Sequence, residues 1–380
     1  MTPSARIAAA IEVLDRILDG QPAEQSLLRW SRASRFAGSG DRAAVRDLVF
    51  DALRRRNSLA AQGGALTGRG LMIGALRAEG RDPAAIFTGQ GYAPAPLLDS
   101  EMVSEGGDAV DLPDWVLPYW QRALDERAEA VAEAMRQRAP VWLRVNPLRA
   151  SPADAIAALA RDGIEVRTDT RLPTALMVLG NERKLAQSRA YREGLVELQD
   201  LSPQLACAAL PVTPGLRVLD YCAGGGGKAL AVAGMADGAE VTAHDADPAR
   251  MADLPARAGR AGARITICDT PAGTFDLVIT DVPCSGSGTW RRTPDAKWRS
   301  TREMLETVLK AQKSILENAS DLVASGGSLA YMTCSLLEEE NADQVDAFLA
   351  DAPFTELARH RWSPLDASDG FFLSLMQRDA

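Results

Sequence analysis

Residues 218–229 read VLDYCAGGGGKA: an apolar run ending in aspartate, four consecutive glycines, then a lysine that opens a stretch of small apolar residues. The pattern predicts a strand, a close turn and a helix. Glycines at such a turn let the backbone approach a ligand and leave the helix's first amides facing it. Working outward, the alternation continues through AEVTAHDAD (239–247), RITICD (264–269), FDLVITDVPC (275–284), helical spacing around 301–323, and GSLAYMTCS (327–335). Strands alternating with helices imply an α/β domain with a mostly parallel, doubly wound, Rossmann-like sheet, whose ligands lie beyond the carboxyl ends of its strands. Asp220, Asp245, Asp269, Asp281, Cys284 and Cys334 all fall at or just after those ends. One crevice could collect them.

The glycine loop alone does not select a cofactor. Gly224, Gly226 and Ala229 satisfy the dinucleotide pattern G-x-G-x-x-A, and Asp245 lies where a ribose-binding acid would, so a nicotinamide oxidoreductase is one reading. The same turn and acid suit the methionine-adenosyl cofactor of methyltransferases. A phosphate loop is excluded, because Gly227-Lys228 is followed by Ala229 and residue 222 is cysteine.

The cysteines separate these readings. Carbon 5 of a pyrimidine is a poor nucleophile until something adds to carbon 6, and a thiolate is suited to that addition. A base must then take the proton from carbon 5 so that the thiol can leave. Two thiols, Cys284 and Cys334, beside a carboxylate and a cofactor loop fit that scheme, whereas hydride transfer needs no cysteine pair. The bland alternative, small buried hydrophobes, is the reading for Cys207 and Cys268, and Cys222 is read as a structural thiol whose backbone lines the cofactor pocket.

Composition narrows the rest. The chain has 380 residues, 46% of them apolar, enough for two or three domains. With 42 basic and 51 acidic residues the net charge is −9, so any nucleic-acid site must be a local patch. Five cysteines without a Cys-x-x-Cys pair, and two histidines, predict neither a metal site nor a disulfide framework. No apolar stretch reaches the roughly 20 residues of a membrane span, and the acidic, helically spaced N-terminus is not a targeting segment, so a cytoplasmic protein is expected.

Before the α/β domain, residues 1–88 read as an all-helical domain, with Thr2 capping the first helix and Asp41 capping the helix of DRAAVRDLVFDALRRR. Arg54 to Arg56 either touch phosphate or form a solvated last turn. Residues 89–138 read as a linker, rich at first in proline, glycine and acid (GYAPAPLLDSEMVSEGGDAVDLP), followed by a connecting helix. Residues 139–204 read as a small α+β module without the aromatic stacking motif of an RNA-recognition sheet, and 205–380 as the catalytic domain.

DVPCSGSGTWRRTPDAKW, YMTCSLLEEEN, LDYCAGGGGK, VELQDLSPQLA and DGFFLSLMQR together resemble the RsmB/Sun family of RNA cytosine carbon-5 methyltransferases. The resemblance implies S-adenosyl-L-methionine as cofactor and RNA as substrate. The helical N-terminus is similar to the NusB-like RNA-binding domain of the members that modify small-subunit ribosomal RNA. That favours ribosomal RNA, free or in an assembly intermediate, over transfer RNA. A noncatalytic ribosome-assembly factor is the remaining alternative, and a monomer is expected. The resemblance makes Cys334 the nucleophile and Cys284 the thiol that assists product release. It places the cofactor on Cys222, Ala223, Gly224, Gly225, Gly226, Gly227 and Lys228, with Asp245 at the ribose, Asp269 at the adenine and Asp281 at the strand end beside the target base. Lys228 either touches the cofactor, orients Asp281 or is an exposed first-turn lysine. Gly224 and Gly225 replace the Ala-Pro usual in such loops, which predicts a more flexible loop with weaker cofactor affinity.

Arg291, Arg292, Lys297, Arg299 and Arg302, interleaved with Trp290 and Trp298, read as a phosphate-binding and base-stacking rim, or else as a solvated helix face with the two tryptophans packed inward. Ser335 with Glu338 reads as a capping box that needs no catalytic role.

Overall fold

The computed structural model describes residues 1–102, 109–236 and 239–380. Residues 103–108, within the proline-, glycine- and acid-rich stretch, lie outside that description. The chain forms two compact units: Met1–Leu117 with Glu126–Arg138 and Trp290–Ser300, and Pro118–Asp125 with Ala139–Thr289 and Thr301–Ala380. No described helix is long and apolar enough to cross a membrane.

The first unit is helical. Helices α1 (Pro3–Leu18), α2 (Ala23–Ala33), α3 (Ser39–Arg54), α4 (Arg56–Gly63) and α5 (Gly68–Ala78) bury one apolar stripe each, with Val13, Leu14, Val45, Val49, Leu59, Leu71 and Ile73 at the centre. Helix α1 starts as its sequence predicts, Thr2 Oγ1 accepting from the Ala5 amide at 3.2 Å with Pro3 in the first turn. Helix α3 does not. It begins three residues earlier, with Gly38 at the cap, and Asp41 in the first turn pairs instead with Arg6 of α1 at 2.8 Å. Helix α7 (Ala128–Ala134) belongs to this unit, whereas α6 (Leu117–Leu124) falls in the second from Pro118 onward.

In the second unit β1 (Trp142–Val145), α8 (Pro152–Arg161), β2 (Val166–Thr168), β3 (Ala175–Val178), α9 (Arg189–Arg192) and β4 (Val196–Leu198) make the small module. Its antiparallel sheet has the order β2-β3-β1-β4. Leu143, Val145, Leu159, Leu176 and Val196 form its core, and Ser151 caps α8 in a reciprocal box with Asp154.

The large sheet contains β5 (Arg217–Asp220), β6 (Glu240–Ala243), β7 (Ile265–Ile267), β8 (Phe275–Asp281), β9 (Val323–Thr333), β10 (Phe354–Trp362) and β11 (Phe371–Arg378), in the order β10-β11-β9-β8-β5-β6-β7. Strands β5 to β9 pair in parallel, and β11 runs antiparallel to both β9 and β10. Helices α10 (Leu201–Ala208), α11 (Gly227–Met235), α12 (Leu254–Ala261), α14 (Arg302–Ser320) and α15 (Ala342–Asp351) belong with this sheet, whereas α13 (Pro294–Arg299) packs in the first unit. The central strands are buried on both faces, which explains continuous apolar runs such as Leu277, Val278 and Ile279. Chain order reverses between β5 and β8, the place where such sheets open a crevice at their carboxyl ends.

Candidate active site

The two cysteines that flank β8 and β9 in sequence meet in space. Cys284 follows β8, Cys334 follows β9, and their Sγ atoms are 3.3 Å apart without a bond between them. Parallel pairing brings this about, because Asp281 lies opposite Met332 and both chains then leave the sheet at the same level. The hydrogen-bonding contact with Cys334, together with burial, holds the Cys284 thiol well above the ordinary cysteine range. That shift favours the thiol over the thiolate at Cys284. By contrast Cys207 is fully buried in α10, where burial pushes its thiol up to about 11, and it behaves as a core hydrophobe.

A buried carboxylate that the sequence reading passed over locks the two cysteine loops together. Glu340 is inaccessible to solvent and accepts from the Ser285 amide at 2.6 Å, Ser285 Oγ at 2.5 Å, Ser335 Oγ and Gln312 Nε2 at 3.2 Å. Burial raises its carboxyl above the usual range even though these donors work in the other direction. Ser285 and Ser335 are the residues immediately after the two cysteines. Further links join the same loops: Gly288 donates its amide to Cys334 O at 3.0 Å, and the Leu336 amide donates to Ser287 Oγ at 2.8 Å. The expected capping box of Ser335 with Glu338 is corrected, since Ser335 bonds to Glu340 while Glu338 pairs with Arg361. Three consecutive glutamates hide from the sequence which one points inward.

Beside the thiols, Lys228 at the start of α11 forms an ion pair with Asp281 and lies 5.3 Å from the Phe371 ring centroid. Burial works against the charge of Lys228, but Asp281 outweighs it and leaves the pKa above the ordinary lysine value. The exposed first-turn role is thus excluded. Lys228 is a half-buried partner of Asp281.

The glycine loop runs between Asp220 and Lys228. Gly226 has φ +77°, and a Cβ there would lie 2.2 Å from Leu254 Cδ1, so only glycine fits this close approach. Asp245 is buried just after β6 and accepts from the Gly224 amide at 2.9 Å and from Arg250 at 3.1 Å. Asp269 stands exposed just after β7. Cys222 is half-buried, and burial raises its thiol. Asp220 had appeared only as a strand-end acid, and it has the more telling environment. Its Oδ2 accepts from the Ala229 amide at 2.9 Å, its Oδ1 is buried with no hydrogen-bond partner, and burial raises its carboxyl to about 7. An orphaned carboxylate oxygen at a glycine loop suits a cofactor that brings positive charge, as the ammonium and sulfonium groups of S-adenosylmethionine do.

The basic cluster after Cys284 is corrected. Lys297 is 1% exposed, and its Nζ donates to Arg54 O at 2.9 Å and Asp111 O at 2.7 Å. Arg291 is buried, and its carbonyl accepts from Arg54 Nε at 2.6 Å. Trp290 is buried, and Trp298 is half-buried, donating Nε1 to Leu53 O at 2.6 Å under the guanidinium of Arg56 at 3.6 Å. Of the seven residues in the expected rim, Arg292, Arg299 and Arg302 are exposed. Lys297 and Trp298 satisfy the carbonyls of Arg54 and Leu53 at the end of α3, inside the helical unit. Trp290, Arg291 and Lys297 are therefore not presented as a rim, and in the arginine run Arg54 is buried while Arg55 and Arg56 are half-buried.

Comparison with known proteins places the chain among methyltransferases. Residues 207–373 match the 16S rRNA methyltransferase RsmB/F family, and residues 112–182 match the ferredoxin-like domain of RsmF/B-like methyltransferases. The chain is 33% identical over 293 residues to ribosomal RNA small subunit methyltransferase B of Xanthomonas campestris pv. campestris, covering 71% of this chain and 67% of that protein. To the protein of the same name from Proteus mirabilis it is 32% identical over 277 residues, covering 70% and 65%. The chain thus spans about two thirds of the length of these relatives. The crystal structure of PH0851 shares the fold, with a TM-score of 0.79 at 22% identity over 100% of this chain and 99% of that one.

Proposed function

The chain belongs to the RsmB/F methyltransferase family, and from that membership we propose that it methylates carbon 5 of a cytosine in ribosomal RNA, using S-adenosylmethionine and a covalent cysteine adduct. The observation that carries this reading is the pair of thiols 3.3 Å apart beside the Lys228–Asp281 ion pair and the glycine loop. Cytoplasmic location and a monomeric state complete the proposal.

Residues 222–228, Asp220 and Asp245 would hold the cofactor, with Asp269 on the adenine side. When bound, it supplies an electrophilic methyl group. The protein's own residues do the rest. Cys334, as thiolate, adds to carbon 6 of the cytosine, and the electrons of the 5,6 double bond move to carbon 5, which becomes the nucleophile. Asp281, held by Lys228, hydrogen-bonds the base edge and fixes the ring over the thiol. After methylation the carbon 5 proton must go to a base, the double bond re-forms, and the carbon–sulfur bond to Cys334 breaks. Cys284, protonated and in contact with Cys334, stands where it can assist that release. The Glu340 network keeps both loops in register through these steps.

The test is incubation with radiolabelled S-adenosylmethionine and separate pools of small-subunit ribosomal RNA, assembled small subunits and transfer RNA, followed by nucleoside analysis. Label in 5-methylcytosine from the ribosomal pools is expected. Label confined to transfer RNA would overturn the substrate, and label on another nucleoside would overturn the chemistry.

A further inference from the structure

Four successive glycines form a poor scaffold by themselves, because each loses more backbone freedom on being fixed than any other residue. In this protein the loop is gripped from outside. Arg257 of α12 donates Nη1 to Gly225 O, and Arg144 of β1 donates Nη1 to Gly227 O at 2.9 Å. Both arginines are held in turn. Arg257 Nη2 meets Glu197 Oε2 at 3.1 Å, and Arg144 Nη1 also donates to Gln199 Oε1. Glu197 is 1% exposed and Arg144 8%, and the two are cross-strand neighbours on β1 and β4. All the supports except Arg257 thus come from the small antiparallel module.

The space at Gly225 points the same way. Gly225 is outside the left-handed region that Gly224 and Gly226 occupy, so its backbone does not require glycine. A Cβ there would lie 3.0 Å from Arg257 Nη1. The residue is small because a guanidinium takes the place of a side chain.

We propose that Arg144, Glu197 and Arg257 are positioning residues for S-adenosylmethionine: the small module clamps the glycine loop in its binding shape and is a working part of the cofactor site. This rests on the reading that the chain uses that cofactor. On this proposal the clamp offsets the flexibility expected of a loop with Gly224 and Gly225 in place of Ala-Pro.

The experiment is titration calorimetry of S-adenosylmethionine into the full chain, with hydrogen exchange of residues 222–230 measured without cofactor. Glu197→Gln and Arg257→Ala are expected to weaken binding about tenfold and to speed exchange of the loop, and Arg257→Lys to recover part of both. Gly225→Ala is expected to weaken binding in the wild-type background, where it displaces Arg257, but to strengthen it in Arg257→Ala, where the space is open and the added Cβ stiffens the loop. That change of sign distinguishes a clamp from a general loss of stability, and it tests the proposal even if Glu197→Gln fails to fold. Unchanged affinity and exchange in Arg257→Ala, or Gly225→Ala acting alike in both backgrounds, would overturn the clamp. Failure of the wild type to bind S-adenosylmethionine would instead overturn the reading on which it rests.

Discussion

Residues 281–289 and 290–300 are one unbroken run of sequence, yet they serve different parts of the molecule. The first half stays with the large sheet and delivers Asp281, Cys284 and Ser285 to the crevice, where the fully buried Glu340 holds Ser285. The second half belongs to the helical unit, where Lys297 and Trp298 give their donors to carbonyls of Leu53, Arg54 and Asp111. Polar side chains are buried in both halves, but in one they position reacting groups and in the other they satisfy a helix end. Residue type alone does not tell these roles apart. What each donor faces does.

Substitutions can break that contrast. The largest effect is expected at Cys334, where Cys334→Ala should lower methyl transfer by about 10³-fold or more while S-adenosylmethionine binding is unchanged. Turnover near the wild-type rate would remove its role. Next, Glu340→Ala strands four donors and loosens both cysteine loops. Single-turnover methylation should slow about 10²-fold, with loss of protection in the exchange of Ser285 and Ser335 amides.

The second half is tested by Lys297→Met, which leaves two buried carbonyls without donors. Denaturant unfolding should show a loss of about 2–3 kcal/mol, with cofactor affinity unaltered. Weakened RNA binding at unchanged stability would restore the rim.

The smallest effect is a pH dependence. Because the carboxyl of Asp220 is raised to about 7 in the folded protein, its contribution to stability is complete below its unfolded value of about 4 and is lost as pH rises towards 7. A bound cation reverses this penalty. S-adenosylmethionine affinity should therefore rise between about pH 6 and 7, by no more than about tenfold, and Asp220→Asn should bind weakly with that rise removed.

The large sheet was legible because its strands, buried on both faces, leave long apolar runs that end in acids and cysteines. Parallel pairing then carried Cys284 and Cys334 together, as their shared position at strand ends implied. Three features were not legible. The rim failed because the long apolar stems of Lys297 and its neighbours read alike on a wet face and in a buried capping role. Glu340 was hidden among three equivalent glutamates, and only the tertiary arrangement of Ser285, Ser335 and Gln312 selects it. Asp41 was taken for a cap because it precedes the apolar periodicity of α3, but Ser39 and Gly40 extend that helix and leave it in the first turn.

The central claim is that Cys334 attacks while Cys284 serves release. The most direct measurement is denaturing gel analysis of covalent protein–RNA adducts formed with S-adenosylmethionine by wild type, Cys284→Ala and Cys334→Ala. Cys284→Ala is expected to accumulate an adduct and Cys334→Ala to form none. Accumulation in Cys334→Ala, with none in Cys284→Ala, would make Cys284 the nucleophile and contradict it.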